Sequence, residues 1–403
     1  MPNRPCRAEI DLAAFAHNLS QLQRAAGAAA LAAVVKGDAY GHSLALCAPA
    51  AVRDGAEWLA VTSTDEARAA IEVCGELEAS RILVLSGPFP GDGEWVVRHG
   101  FTCSVWQRSQ MEELQRGAQA TGRAALPVHL ELDTGMSRQG VTPQELPEFF
   151  EALRSFPALR VEGVMTHLYA ADESDHTATE QQLERLADAL GRIRAALRQN
   201  AASMQWLSVG NSAAILDAAI QERLMALATA HGLRLLLRPG IALYGVAPEF
   251  APHPLAGPAF ALRPVLSWKT RITSLRQIPA GEAVGYNATF RAERPMRLAL
   301  VAAGYADGLS RRLSNVGHAL VAGQRAPFVG RISMDQAVVD VSDIPAESLA
   351  PGAEVVLLGG QGEQEITAVD HARWAGTIPW EVFTSIAARV PRIAARGPRI
   401  AVG

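Results

Sequence analysis

Cysteine is scarce and scattered in this chain. The four that occur, Cys6, Cys47, Cys74 and Cys103, lie far apart and form no CxxC pair. Neither a disulfide framework nor a zinc site follows from them. An excess of one charge is also missing. With 19% charged residues and a net charge of −4, there is no electrostatic case for nucleic acid or an anionic membrane as partner. No apolar run is long enough to cross a bilayer, for the longest, 25–35, contains Gly27 and stops at Lys36. That run is also a poor signal segment, because Asp11, His17 and Arg24 precede it in place of a compact basic start. The cytoplasm is the expected location. Internal repeats are absent, as are low-complexity tracts beyond an enrichment in alanine.

A chain of 403 residues is too long for one ordinary core and suggests about two domains. From Asp11 to Gly245 helical and strand-like segments alternate. Asp11 is a plausible N-cap for a first helix whose Leu12, Phe15, Leu19 and Leu22 share a face. Strand candidates follow at 31–36, 58–62, 81–86, 101–105, 126–133, 160–167, 205–209 and 233–238, with helical patterns such as 64–68 and 180–183 between them. Eight strands in such alternation predict a (β/α)8 barrel over 11–245. A doubly wound open sheet competes, but no GxGxxG turn follows the first strand. Beyond Leu262 the period becomes two. Leu266, Trp268, Thr270 and Ile272 share one strand face, and similar segments lie at 298–303, 318–322, 336–341 and 353–358. Residues 246–403, joined by 1–10, are therefore expected to form a mostly antiparallel β domain. The Pro-rich stretch 248–264 is the expected boundary.

In barrels of this kind the carboxyl ends of the strands build the active site. Lys36 ends the first candidate strand, Asp133 and Arg138 follow the fifth, and His167 ends the sixth. Asn211-Ser212 follow the seventh, and Arg238-Pro239-Gly240 follow the eighth. A lysine at the exit of a buried strand is half desolvated, which lowers its pKa and suits it to forming a Schiff base. Small residues after strands seven and eight, Gly210-Asn211-Ser212 and Gly240-Ile241, let backbone N–H groups approach a phosphate. A reactive lysine opposite a phosphate cradle suggests pyridoxal 5′-phosphate on Lys36. A sugar-phosphate aldolase would share both features, and the second domain is the discriminator.

Nine sequence blocks then carry a resemblance to the alanine racemases, pyridoxal-phosphate enzymes of barrel-plus-β-domain architecture. They are VVKGDAYGH (34–42), DTGMSRQGV (133–141), THLYAADE (166–173), GNSAA (210–214), RPGIALYG (238–245), VGYNATF (284–290), GYADG (304–308), GRISMDQ (330–336) and RVPRI (389–393). The resemblance implies that Lys36 carries the cofactor and is one catalytic base. It implies that Tyr286 is the second base, reaching the opposite face of the substrate from the partner subunit of a homodimer. His167 would hydrogen-bond that tyrosine, and Arg238 would face the pyridine nitrogen. Arg138 would bind the substrate carboxylate, helped by the backbone of Met334 from the other chain. Tyr40, Asn211, Ser212, Gly240 and Ile241 would hold the phosphate. Tyr305 matches an entrance tyrosine, and Asp172, Arg311, Arg331 and Ile378 match an access corridor. The activity implied is interconversion of L- and D-alanine, with D-alanine supplied to peptidoglycan.

Three departures stand out. Where many members have a carbamate-modified lysine seven positions before the carboxylate-binding arginine, this chain has Glu131. If Leu130 and Leu132 face the helices, Glu131 points into the barrel and supplies the negative charge directly. Trp380 stands where a tyrosine near the phosphate is common, offering one N–H donor and more bulk. Gly37-Asp38 replaces a frequent Ala-Asn. Alternative readings are a non-catalytic pyridoxal-phosphate-binding barrel, which would lack the second domain, and a broader-specificity racemase. A D-amino-acid aldolase or dehydratase of the same barrel is a further one, but its metal site has no counterpart among the His and Cys residues near the C-terminus.

Overall fold

The computed structural model describes residues 4–75, 81–197, 204–248 and 261–395. Most of the Pro-rich stretch expected as the domain boundary lies outside them. The chain divides into two compact units. One comprises Phe15–Ala39 and Cys47–Arg263; the other comprises Met1–Ala14, Tyr40–Leu46 and Pro264–Gly403.

After a short strand β1 (Arg7–Ile10), which belongs to the second unit, the first unit is a closed parallel barrel. Its eight strands are β2 (Ala30–Val34), β3 (Trp58–Val61), β4 (Ile82–Val84), β5 (Thr102–Val105), β6 (Leu126–Glu131), β7 (Leu159–Met165), β8 (Trp206–Ser208) and β9 (Arg234–Leu237). Each starts and stops within two residues of its expected position. Pairing runs in chain order, as in Ala32↔Trp58 and Leu83↔Thr102, and Leu31↔Leu237 closes the ring. The strands are almost wholly buried because helices cover one face and side chains fill the other. β2, β4, β6 and β7 end two residues earlier than the apolar pattern suggests. The residues just beyond β2, β6 and β7 leave the ladder and become the loops that carry Lys36, Asp133 and His167.

The barrel interior is tightly filled. Trp58 lies edge-on to Trp206, with ring centroids 5.5 Å apart, and 5.9 Å from His129. The His129 ring is fully buried and lies where a side chain at position 163 would be: a Cβ on Gly163 would come within 2.6 Å of its Nε2. Glycine at 163 is thus the condition for histidine at 129. The helix Leu12–Ala26 begins as expected, with Asp11 Oδ1 accepting from the Ala13 and Ala14 N–H groups at 2.9 Å.

The second unit is a nine-stranded sheet of mostly antiparallel pairs. Its long strand β10 (Leu266–Ile278) buries the expected face of Leu266, Trp268, Thr270 and Ile272. It is followed by the two-residue pair β11 (Ala283–Val284) and β12 (Phe290–Arg291), then β13 (Met296–Val301), β14 (His318–Val321), β15 (Gln324–Pro327), β16 (Ala337–Asp340), β17 (Glu354–Gln361), β18 (Gln364–Ile366) and β19 (Arg392–Ala394). β10, β13, β14, β16 and β17 are the five segments expected from period two. β1 completes the sheet, antiparallel to β10 and parallel to β19. The alternation did not reveal the short strands β11, β12, β15, β18 and β19, nor the helices Ala368–Ala375 and Pro379–Ser385. No helix among the described residues is long and apolar enough to cross a membrane.

Gly163→Ala should destabilise the barrel by about 1–3 kcal/mol through overpacking against the His129 ring. A thermal melt that matches the native protein would show that the ring has room to move.

Candidate active site

The chain leaves β2 through Val35 and Lys36 and then turns left-handed for five residues. Gly37, Asp38, Ala39, Tyr40 and Gly41 have φ of 62°, 52°, 55°, 54° and 77°. For residues with a Cβ this conformation costs roughly 1–2 kcal/mol each. Two anchors hold it. The Glu66 carboxylate accepts from Gly37 N–H at 2.6 Å and from Thr62 N–H at 2.7 Å, and Ala39 N–H donates to Val35 O at 2.8 Å. Glu66 is three residues after Ser63, whose hydroxyl caps the helix Thr64–Cys74. The glycine that departs from the Ala-Asn pattern therefore occupies a position where it carries no strain. The turn ends the strand abruptly and leaves the lysine side chain at the barrel's carboxyl end.

The Lys36 amine is held below its ordinary pKa, first by burial, then by the charges of Arg138 and Arg238, with Glu66 pulling the other way. Arg238 follows β9 and is buried. Its Nη1 donates to Ser208 Oγ at 2.9 Å and its Nη2 to Thr166 O at 2.8 Å. Burial lowers its pKa to about 10, so it keeps its charge at neutral pH. Arg238 Nη2 also faces His167 Nδ1 at 3.5 Å. Burial, then Arg238, Arg138 and Lys36, push His167 down to about 3. It is therefore neutral, and with Nδ1 turned to a donor, the hydrogen-bond pattern assigns its proton to Nε2.

Glu131 ends β6 with a fully buried neighbour, His129, on the same strand face. Burial raises its carboxyl to about 7, against the pull of Arg238 and Arg138 and a hydrogen bond with Gln139. Its Oε2 and both ring nitrogens of His129 have no hydrogen-bond partner among the described residues. The loop carrying Arg138 folds back on the strand. Asp133 Oδ1 accepts from Gly135 and Ser137 N–H groups at 2.8 and 3.1 Å, and Asp133 N–H donates to Val141 O at 3.0 Å. Thr134 ties the loop to Thr166, Gln182 and Arg185 at 2.8–3.0 Å. Arg138 itself is exposed.

The loops after β8 and β9 are bonded to each other. Ser212 Oγ accepts from the N–H groups of Gly240 and Ala242 at 3.0 and 3.2 Å, and Asn211 Oδ1 caps Ala214 N–H at 3.1 Å. Ile241 begins a short 3₁₀ turn to Tyr244. Two helical starts thus lie together, next to a lysine of lowered pKa. These two helical starts, a hydroxyl, a buried guanidinium and an amine of lowered pKa fit a phosphorylated aldehyde such as pyridoxal phosphate.

The charges of Arg138 and Arg238 thus act on Lys36, Glu131 and His167 alike, with Asn211, Ser212, Gly240 and Ile241 on the loops after β8 and β9. Asp172 is half-buried in the same unit. The other candidates lie in the second unit. Tyr40 is half-buried, its phenol pushed up to about 12 by burial. Tyr286 is 65% exposed, on a short turn after Gly285, and Met334, Tyr305 and Ile378 are also exposed. Trp380 is half-buried in the helix Pro379–Ser385, Arg311 is exposed and Arg331 half-buried. Glu66, Gln139, Thr166 and Ser208 were not picked out from the sequence. Only Glu66 had a signal, the Ser63-x-x-Glu66 capping pattern.

The family model for the alanine racemase N-terminal domain matches residues 10–248, and that for the alanine racemase C-terminal domain matches 265–394. An alanine racemase of Symbiobacterium thermophilum is 39% identical, over 96% of this chain and 97% of its own length. The crystal structure of alanine racemase from D-cycloserine-producing Streptomyces lavendulae superposes with a TM-score of 0.85 at 33% identity, covering 99% of both chains. The alanine racemase of Bartonella henselae with covalently bound pyridoxal phosphate superposes with a TM-score of 0.78 at 29% identity, covering 97% of this chain and 99% of that one. The chain belongs to the alanine racemase family of isomerases.

Proposed function

We propose that the protein interconverts L- and D-alanine by two bases acting on opposite faces of the α-carbon, with pyridoxal phosphate held at Lys36. The observation that carries this reading is the lowered pKa of the Lys36 amine beside a buried, charged Arg238. Bound there, pyridoxal phosphate supplies an electron sink that makes the substrate's α-hydrogen acidic. Asn211, Ser212, Gly240, Ile241 and Tyr40 are proposed to hold its phosphate, with Trp380 beside it. Arg238 keeps its protons at neutral pH, so a ring nitrogen facing it would stay unprotonated and the sink would be weak. A weak sink would favour racemisation over transamination.

Lys36 Nζ takes or returns the α-proton on one face. The partner's Tyr286 does so on the other, in a homodimer. A phenol of pKa ~10 is a weak base in water, and the Nε2–H of His167 is suited to hydrogen-bond its oxygen. Exposure of Tyr286, Tyr305, Met334 and Ile378 supports an assembly that covers them. Arg138 receives the substrate carboxylate with the amide of the partner's Met334, while Tyr305, Asp172, Arg311, Arg331 and Ile378 line the approach. Glu131 supplies a carboxylate facing Arg138 without a modified lysine. The cellular role implied is cytoplasmic supply of D-alanine for peptidoglycan.

Lys36→Ala should abolish covalent retention of pyridoxal phosphate, read by mass spectrometry after borohydride reduction. Retention at full stoichiometry would exclude Lys36 as the attachment site. Tyr286→Phe should cut solvent-deuterium exchange at the α-carbon of one alanine enantiomer by roughly 10²-fold or more and largely spare the other. An equal loss for both would refute a one-faced role. Assays with L-alanine, L-serine and L-lysine define the substrate range.

Glu131 gives a pH-dependent test. Its folded pKa of about 7 lies above the ordinary 4.5, so between these values the folded chain holds a proton that the unfolded chain releases. Stability contributed below 4.5 is lost as pH rises through about 7. Glu131→Gln stays neutral throughout, so it should melt higher than the native protein at about pH 8 and alike at low pH, while KM for alanine rises. Identical melting at about pH 8 would show that the buried carboxylate ionises without penalty.

A further inference from the structure

One buried carboxylate in the second unit ties together the segments that carry Tyr305, Met334 and the helix of Trp380. Asp307 closes the turn 304–308 and is fully buried. Its Oδ2 accepts from Gly304 N–H at 2.9 Å and from Arg4 Nη2 at 2.5 Å. Its Oδ1 accepts from Arg4 Nε at 3.1 Å and Arg389 Nε at 2.8 Å. Both guanidiniums go on to the loop after Met334, where Arg389 Nη2 meets Asp335 Oδ1 at 2.7 Å and Arg4 Nη2 donates to Asp335 O at 3.0 Å. A buried carboxylate with a single partner would be costly, whereas one with four charge-assisted or backbone donors is rigidly placed.

The backbone repeats the pattern. Tyr305 N–H donates to Ser333 O at 3.0 Å, Ala306 N–H to Met334 O at 2.9 Å, and Ala387 N–H to Asp307 O at 3.0 Å. There is no slack in these contacts. A Cβ on Gly304 would be 2.3 Å from Ser333 O and 2.4 Å from Met334 O, and one on Gly308 would be 2.3 Å from Ser385 O. The peptide joining Ser333 to Met334 is trans, as are all the described peptide bonds. In a trans peptide the C=O and N–H point in opposite directions. With the Ser333 carbonyl turned onto the Tyr305 turn, the Met334 N–H must point away from it, outward beside a side chain that is 53% exposed.

We propose that Asp307, clamped by Arg4 and Arg389, is a positioning residue that fixes the Tyr305 turn against the 333–335 loop and so aims the Met334 amide at the substrate carboxylate. This rests on the reading of Met334 as a carboxylate donor across the dimer. Asp307 touches no substrate; it acts through the loop. The clamp therefore governs carboxylate binding rather than proton transfer.

The test uses the native holoenzyme and three variants: Asp307→Asn, which removes the charge at constant volume, and Arg389→Lys and Arg4→Lys, which keep charge but lose the fork. In Asp307→Asn, KM for alanine should rise roughly tenfold with kcat within about threefold. Propionate, which has the carboxylate without the amine, should weaken as a competitive inhibitor by a similar factor. Inhibition by ethylamine, which has the amine alone, should not move. The lysine variants should show the same split, smaller in size, and they decide the matter if Asp307→Asn does not fold. Folded variants with unchanged KM and unchanged propionate inhibition overturn the proposal. So does a fall in kcat with KM constant, or equal weakening of propionate and ethylamine. A native holoenzyme that does not racemise alanine would refute the underlying reading instead.

Discussion

Everything in the barrel mouth bears on one amine, which is held below its ordinary pKa. Burial at the low-dielectric end of the barrel disfavours protonation of Lys36, and so do two guanidiniums that repel an ammonium, against the opposite pull of Glu66. The same field makes His167 a neutral donor and leaves Arg238 the permanent charge. Had the barrel placed a fully ionised carboxylate beside Lys36 in place of these cations, the amine would titrate upward instead. Glu66 is the one acid whose charge works in that direction, and its two oxygens are occupied by the N–H groups of Gly37 and Thr62. That use anchors the turn that displays the amine.

The fold supplies this field through backbone geometry as much as through side chains. A strand that simply ran on past Val35 would carry Lys36 into the ladder and away from the mouth. Five consecutive left-handed residues stop it instead. Three of these carry a Cβ and would not adopt the conformation unaided, so Glu66 and the Val35 carbonyl are needed to hold it. The strained turn, the lowered amine pKa and the anchoring carboxylate form one device.

How much of this could be read from the sequence follows from the range of each interaction. Parallel barrel strands are buried on both sides, so segments such as Ala30–Val34 appear as short apolar runs, and the polar residue that ends each run marks the mouth. Lys36, His167 and Arg238 were legible for that reason. In the second unit β10, β13, β14, β16 and β17 were legible from alternation, whereas β11, β12 and β18 are too short to carry a period. The left-handed turn gave almost no sign, since Asp38-Ala39-Tyr40 has no composition that demands positive φ; only the flanking Gly37 and Gly41 hint at it. Asp307 was invisible in a different way. Its partners Arg4 and Arg389 are 303 and 82 residues distant, and no local pattern links residues that only a sheet brings together.

Glu131 and Asp307 are both buried carboxylates facing two arginines, and comparing them shows what burial does to a charge. Asp307 has every oxygen met by N–H donors at hydrogen-bond distance. Its charge is spent on holding backbone in place. Glu131 has an oxygen without a partner, and its arginines act on it through space, so burial outweighs attraction and the carboxyl sits near neutrality. A site that needs a rigid scaffold is served by the first arrangement. The second arrangement does not neutralise an arginine, because an acid of pKa about 7 is only partly ionised at neutral pH and leaves Arg138 much of its charge. A fully ionised, bidentate partner would bind the arginine more firmly and leave it less charge to offer a second anion.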